Sequence, residues 1–323
     1  MKNSFKSDIR IVWCLVERNV KIFLKDKMGV FFSLLAPLII LGLYVLFLGD
    51  VQMQTLESAF EGVPIDNELL KNFVDNWMLA GVISVSCVTV SFSAQEIVVK
   101  DREKGVLADM LCAPAKRYLL TVGYYISNVI ITLTICMIVL LIAFVYMAIS
   151  GWTLSAGDVF MAIGLLIMSV ISSSAIISLI CKAVKTSAQH GALVGIISAA
   201  IGFLIGAYMP ISIFPKAIQY ITLFIPATYS AGLYRELFMR GALEKIEEVI
   251  PQAGEKLEES FSMQLDFFGK TIGAKEIAWI FFAFTAVILV VWLSVEVGIM
   301  LKNSKKSNSI EEVQNAQDDN EGK

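Results

Sequence analysis

The sequence predicts an all-α integral membrane protein with six transmembrane helices. Of its 323 residues, 57% are hydrophobic and 17% are charged, and the mean hydropathy is +0.72. A soluble domain carries about 25% charged residues. Because every backbone amide in lipid needs an internal hydrogen-bond partner, apolar stretches of roughly 20 residues are read as spanning helices. Six such stretches are present, at 30–48, 78–97, 118–149, 159–181, 192–208 and 278–301.

The distribution of basic residues predicts how the six spans are oriented. Lysines and arginines are concentrated before span one, after spans two and four, and in the "KNSKK" that ends span six. The segments 50–76 and 151–158 are poor in basic residues. Because basic residues mark cytoplasmic loops, both termini are predicted to be cytoplasmic. The favoured location is therefore a cell membrane crossed several times, with a bacterial plasma membrane as the leading choice.

The first 28 residues predict an amphipathic helix lying on the cytoplasmic membrane surface. Apolar residues such as Ile9, Val16 and Phe23 repeat at helical spacing, with basic residues such as Lys6 and Lys21 between them. A signal peptide would instead have one continuous apolar core. A helix packed on another subunit, away from the membrane, is the alternative reading.

The sequence offers no motif for catalysis, for metal binding or for binding ATP. The stretch "QLDFFGKT" ends like a phosphate-binding loop, but Gln264 stands where that loop has its first glycine. His190 is the one histidine, and no spacing of cysteine and histidine suggests a metal site. The span centres contain almost no ionisable residue, which disfavours a secondary transporter. We therefore expect no enzyme activity and no cofactor on this chain, and no nucleic acid as a partner.

The loop after span two reads "AQEIVVKDREKGVLADMLCAPAKRYLL" and predicts a short helix at about 101–112. Charged residues come first, apolar residues follow, and Gly105 is the weak point of the helix. An apolar edge beside charges suits docking into a groove of a cytosolic partner. An ordinary charged cytoplasmic loop explains the same pattern equally well.

Two further stretches are unusual for membrane helices. The segment "PISIFPKAIQYITLFIPATYS" is apolar, but Pro210, Pro215 and Pro226 leave no room for an uninterrupted spanning helix. Span five carries small residues at helical spacing, which let helices approach closely either within the chain or between two chains. These small residues are Gly191, Gly195, Ala199, Gly202 and Gly206.

These stretches resemble the permeases of ATP-binding-cassette transporters of the type-2 exporter class. In that family a charged cluster follows span two, and then come a glycine, a leucine-rich short helix, a proline and a basic residue. The family often has Gly-Thr-Leu-Glu where this chain has Gly-Val-Leu-Ala. The resemblance implies a coupling helix that docks on an ATPase subunit. The matching residues are Asp101, Arg102, Glu103, Gly105, Leu107, Leu111, Pro114 and Arg117.

The resemblance also gives the proline-broken segment a structure. It implies a re-entrant helical hairpin at about 210–235 between spans five and six, with Arg235 at the outer membrane surface. An interfacial loop that never enters the bilayer is the alternative. Gly195, Ala199, Gly202 and Gly206 of span five would pack against a second permease half. The residues of the re-entrant segment are Pro210, Pro215, Phe224, Pro226, Tyr229 and Arg235.

The function implied is that of the membrane-spanning subunit of an ATP-driven exporter. A permease domain at 29–302 would pair with an identical or paralogous half in the lipid membrane, and with two cytosolic ATPase chains that bind ATP and magnesium. The substrate would be amphiphilic: a drug, a lipid or a hydrophobic peptide. A polysaccharide or lipid-linked glycan exporter, and a membrane interaction protein without transport, are the alternatives. We expect an outer loop at 241–275 and a disordered acidic tail at 303–323.

Overall fold

A computed structural model of the chain describes residues 2–59, 66–112, 116–250 and 253–321. Within these ranges six helices are long and apolar enough to cross a membrane, as the hydropathy predicts. The fold is all-α apart from one small hairpin in the described ranges. The prediction of an all-α membrane protein is therefore confirmed.

Short connections join most of the successive helices and strands. The first half contains α1 (Lys2–Lys25), α2 (Lys27–Leu43), a π-helical segment (Tyr44–Leu48), α3 (Gly49–Ala59), α4 (Asn67–Glu103), α5 (Val106–Cys112) and α6 (Arg117–Ser150). The second half contains α7 (Ala156–Cys181), α8 (Ser187–Leu204), a 3-10 turn (Ile211–Ile213), α9 (Lys216–Thr222), α10 (Pro226–Val249), α11 (Ala253–Ser260), β1 (Leu265–Phe267), β2 (Lys270–Ile272) and α12 (Ala274–Glu321).

Helix α4 is the centre of the bundle. It packs against α2, α6, α7, α8 and α10, and Phe73, Trp77 and Phe92 on it are almost completely buried. The surrounding helices expose large apolar side chains, such as Ile149 on α6 and Phe160 on α7. In water such a surface would be unfavourable, whereas lipid or a second chain can cover it.

Local signals in the sequence set several helix ends. Asp26 separates α1 from α2, and its carboxylate accepts a hydrogen bond from the Gly29 amide at 2.9 Å. Ser155 and Asp158 form a reciprocal capping box that begins α7. Gly151 ends α6 with a φ of +124°, a conformation that only glycine adopts freely.

The expected outer loop at 241–275 is largely regular structure. Helix α10 continues to Val249, α11 follows, and β1 pairs antiparallel with β2, Leu265 opposite Ile272. Phe268 and Gly269, with φ of 52° and 91°, form the turn between the strands. The stretch that resembles a phosphate-binding loop is therefore this hairpin.

The expected disorder of the acidic tail at 303–323 stays a prediction. In the structure, α12 continues to Glu321. The physical reason is that neither proline nor glycine interrupts the chain between Gly298 and Glu321, and glutamate, glutamine and lysine are good helix formers.

Candidate functional site

The segment 101–112, here called the coupling region, is divided by a glycine. Gly105 has a φ of +78°, and its amide donates to the Arg102 carbonyl at 3.3 Å. This left-handed residue ends α4 at Glu103, and α5 begins at Val106. The prediction of one helix over 101–112 is therefore wrong, because Gly105 acts as a helix stop.

Asp101 faces the protein interior. It is 7% exposed, and its two carboxylate oxygens accept from Nη1 and Nη2 of Arg18 at 2.6 and 2.8 Å. The Tyr124 hydroxyl donates to the same carboxylate at 2.6 Å. The hydrogen bond to Asp101 raises the pKa of the Arg18 guanidinium. Asp101 thus connects α1, α4 and α6, and it is not available to a docking partner.

Arg102 and Glu103 hold the end of α4 against the connection between α7 and α8. Nη1 of Arg102 donates to the Cys181 carbonyl at 3.1 Å and also to the Val184 carbonyl. A Glu103 oxygen accepts from the Ser187 amide at 2.9 Å. Arg102 and Glu103 therefore brace the end of α4 through neighbouring backbone groups, and their expected role in docking stays a prediction.

The outward surface of the coupling region is therefore formed by α5. Leu107 is half-buried against the core, whereas Leu111 is 36% exposed and Asp109 and Cys112 are also exposed. A short helix with an apolar underside and a mixed exposed side can contact another chain. Of the predicted docking residues, Leu111 is the one whose side chain is exposed enough to reach a partner from α5.

Helix α1 packs on α6 through only part of the apolar stripe that the sequence predicts. Leu15 and Val16 are buried there, and the Asn19 amide donates to the Ser127 hydroxyl at 3.1 Å. Ile9 and Trp13, nearer the start of α1, are exposed. The sequence reasoning missed the polar contacts of Arg18 and Asn19. Their signal is that Asn19 interrupts the apolar face of an amphipathic helix.

The proline-broken segment folds into two helices that meet at a turn. Pro215 precedes α9 and Pro226 begins α10, the positions at which proline fits a helix. The Tyr229 hydroxyl donates to the Leu223 carbonyl at 2.7 Å and fastens the turn, while Phe224 is 69% exposed. How deep these helices lie in the membrane stays a prediction.

Arg235 is enclosed by protein instead of lying exposed at an outer surface. It is 0% exposed, and its Nη2 donates to the carbonyls of Ile205 and Gly206 at 3.0 and 2.7 Å. Its guanidinium lies 5.6 Å from the centre of the Trp77 ring. Carbonyls that follow α8 and an aromatic face both stabilise a cation, so the buried position of Arg235 is explained.

The small residues of span five, in α8 and just after it, divide into two groups. A Cβ at Gly202 would come within 2.3 Å of the Tyr208 ring, and Gly206 has a φ of +74°. These two glycines serve contacts and a turn within the chain, so the expectation that they pack against another permease is wrong. Gly195 and Ala199 are exposed, and a Cβ at Gly195 would meet open space.

A groove of about 740 Å³ runs between α2 and α8. Its wall is apolar along most of its length, with Phe32 and Val194 on opposite helices. One end is polar, where Glu96 pairs with Lys100 at 2.9 Å beside His190. The arrangement can hold a molecule that is apolar over most of its length and polar at one end.

Comparison with known families matches residues 10–239 to the ABC-2 type transporter family. No curated protein matches the chain significantly. The family match covers α2 to α8, the coupling region and most of α10, including the groove. Because it spans most of the sequence, the chain belongs to the ABC-2 type transporter family.

Proposed function

We propose that this chain exports an amphiphilic molecule, paired with a second permease half and two ATPase chains. Membership of the ABC-2 family makes it the permease subunit of an exporter, and it implies an ATPase partner. The ATPase chains would bind ATP and magnesium, and both termini of the permease would lie in the cytoplasm of the cell.

The proposed substrate class rests on the groove between α2 and α8. At the polar end of the groove lies His190, which is only 2% exposed. The Nε2 atom of His190 has no hydrogen-bond partner among the described residues. A buried polar atom without a partner is unfavourable, so a polar group of a bound molecule would stabilise it. The apolar wall would cover the rest of that molecule, which favours a drug, lipid or hydrophobic peptide over a long polar glycan.

The second permease half is proposed to close this groove. Gly195 and Ala199 line the groove and are exposed on α8, so another helix can approach them closely. The ATPase is proposed to contact the exposed side of α5, and closure of the ATPases would then be transmitted through α5 and α4.

The function can be tested in inside-out vesicles that contain the chain and its ATPase. We expect uptake of a fluorescent lipophilic dye that requires ATP hydrolysis. Gly195→Trp should fill the groove and reduce uptake at least fivefold. Gly164→Trp is the matched control, because Gly164 also faces open space but does not line the groove.

The outcome separates the candidate functions. Equal uptake by the two tryptophan variants would exclude the groove as the substrate path. ATP-dependent transport of a lipid-linked glycan without any dye uptake would favour the glycan exporter. An ATPase whose rate does not change when the permease is present would favour an interaction protein without transport.

A further inference from the structure

A second cavity, distinct from the groove, lies beside the coupling region. It has a volume of about 360 Å³ and is surrounded by α4, α5, α6, α7 and α12. Cavities of roughly 300–1,000 Å³ commonly bind small molecules. We refer to it as the basic pocket, because its charged lining residues are Arg102, Arg117, Lys182 and Glu296.

The basic pocket has more positive than negative charge. Lys182 and Glu296 form an ion pair with each other, which leaves Arg102 and Arg117 without a carboxylate. Neither arginine lies within ion-pair distance of an acidic residue in the part of the chain that the structure describes. The pocket therefore has an excess of two positive charges.

Donors of both arginines are unused. Arg102 employs Nη1 for the carbonyls that follow α7, while its Nη2 and Nε make no hydrogen bond to a described residue. Arg117 is exposed at the first position of α6 and makes no side-chain hydrogen bond within the described ranges. A guanidinium presents paired N–H groups whose geometry matches the oxygens of a phosphate.

The start of α6 adds further hydrogen-bond donors and partial positive charge to the basic pocket. Its N-cap residue, Lys116, makes no side-chain capping bond. The Leu119 amide donates to the Lys116 carbonyl at 2.9 Å, whereas the amides of Arg117 and Tyr118 have no partner among the described residues and can bind an anion. Tyr118 and Thr121 from the first turns of α6 also line the pocket. The partial positive charge of a helix N-terminus favours an anion beside the two arginines.

Most of the remaining lining is apolar, although Gln95 and Ser178 also contribute polar side chains. Val98, Leu107, Leu111 and Ile299 form much of the apolar wall, and both leucines belong to α5. A free inorganic anion would leave this apolar wall exposed to water, whereas an acyl chain or glycerol backbone would cover it. The pocket also lies at the ends of spans that the basic loops mark as cytoplasmic, the level of lipid headgroups.

We propose that the basic pocket binds a phosphate group, carried by an anionic phospholipid, between Arg102, Arg117 and the start of α6. A lipid bound there contacts Leu107 and Leu111 and stabilises α5 in its present position. This site goes beyond the export function, because it is separate from the groove and is expected to hold a lipid that is not transported.

The test uses the purified full chain in nanodiscs of phosphatidylcholine, with and without phosphatidylglycerol. We expect phosphatidylglycerol to raise the melting temperature by several degrees, and native mass spectrometry to retain one anionic lipid more than phosphatidylcholine does. Arg117→Gln should reduce both effects at least fivefold, and Arg117→Lys should restore part of the binding. Lys185→Gln is the matched control, because Lys185 is an exposed basic residue outside the pocket.

Each outcome decides the proposal. If Arg117→Gln and Lys185→Gln weaken phosphatidylglycerol binding equally, or if phosphatidylglycerol binds no better than phosphatidylcholine, the pocket does not bind anionic lipid. If millimolar inorganic phosphate alone reproduces the stabilisation and Arg117→Gln abolishes it, the site binds free phosphate and the lipid source is wrong. If Arg117→Gln impaired folding, its melting temperature would be lower in phosphatidylcholine alone. In that case phosphatidylglycerol binding would be compared between Arg117→Lys and Lys185→Gln.

Discussion

Arg18 of α1 and Asp101 at the end of α4 form a two-pronged ion pair, with N–O distances of 2.6 and 2.8 Å. The two residues are 83 positions apart, and the pair joins the N-terminal helix to the residue four positions before Gly105. A forked guanidinium–carboxylate contact fixes orientation as well as distance. Movement of the coupling region is therefore expected to carry α1 with it.

Replacing Asp101 by asparagine tests this connection. The amide retains the volume and can still accept from Tyr124, but it removes the negative charge that faces Arg18. We expect a loss of about 1.5–3 kcal/mol in the free energy of unfolding, the range for hydrogen bonds to charged groups. Thermal unfolding in detergent would measure it.

The matched control for that pair is Lys21→Ala. Lys21 pairs with Glu17 on the exposed side of α1, where solvent screens the interaction, so no measurable change in melting temperature is expected. An equal loss of stability in Asp101→Asn and Lys21→Ala would contradict the special role of the Arg18–Asp101 pair.

Gly105→Ala tests the break between α4 and α5. No atom lies within 4 Å of an added Cβ, so the expected penalty of about 1–2 kcal/mol comes from the left-handed backbone alone. We expect α5 to change direction and ATP-driven transport to fall severalfold while the protein still inserts into membranes. Transport by vesicles and the melting temperature would be measured together.

Two comparisons keep this prediction specific. Gly105→Asn should retain more transport than Gly105→Ala, because asparagine tolerates the left-handed region. Gly164→Ala, in the middle of α7 with open space around its Cβ, should be neutral or slightly stabilising. Full transport by Gly105→Ala would refute a role for this turn in transmitting motion.

The two groups of small residues on α8 predict opposite results for one added methyl group. Gly202→Ala would press a Cβ onto the Tyr208 ring at 2.3 Å, and overpacking of this kind costs about 1–3 kcal/mol. Gly195→Ala should leave the melting temperature of the single chain unchanged, because its Cβ faces open space. Similar melting temperatures for both variants would show that Tyr208 does not pack on Gly202.

Orientation in the membrane can be read from cysteine labelling of intact cells. Lys270 is exposed in β2, so Lys270→Cys should react with an impermeant maleimide without permeabilisation. The exposed native residues Cys14 and Cys112 should react only after permeabilisation, which supplies an internal control. The reverse pattern would place both termini outside.

The depth of the turn between α9 and α10 is tested with a spin label at Phe224. Its side chain is 69% exposed, and burying a large apolar side chain in lipid is favourable by roughly 1.5–3 kcal/mol. A re-entrant hairpin predicts greater access for oxygen at Phe224 than at Lys270. Greater access for a water-soluble relaxant at Phe224 would favour the interfacial loop.

The sequence by itself determines the membrane class and the number of spans. Hydropathy identifies six helices because a lipid environment requires long apolar stretches whose backbone groups are satisfied internally. Local residues with strong conformational preferences also mark breaks. The prolines predict one at Pro226, where α10 begins, whereas at Gly105 the sequence predicts only a weak point within one helix. These features depend on residues close together in the chain.

Tertiary structure alone decides which charged and small residues face inward. Asp101 belongs to the same charged cluster as Lys104, but Arg18 and Tyr124 enclose only Asp101. Arg235 is buried by carbonyls and a ring that come from distant segments, which no local pattern predicts. Gly195 and Gly202 both lie between apolar residues in span five. Only the position of the Tyr208 ring makes an added Cβ clash at Gly202 and not at Gly195. The physical reason is that desolvation and steric contact depend on which distant segments pack together, whereas helix formation depends mainly on near neighbours.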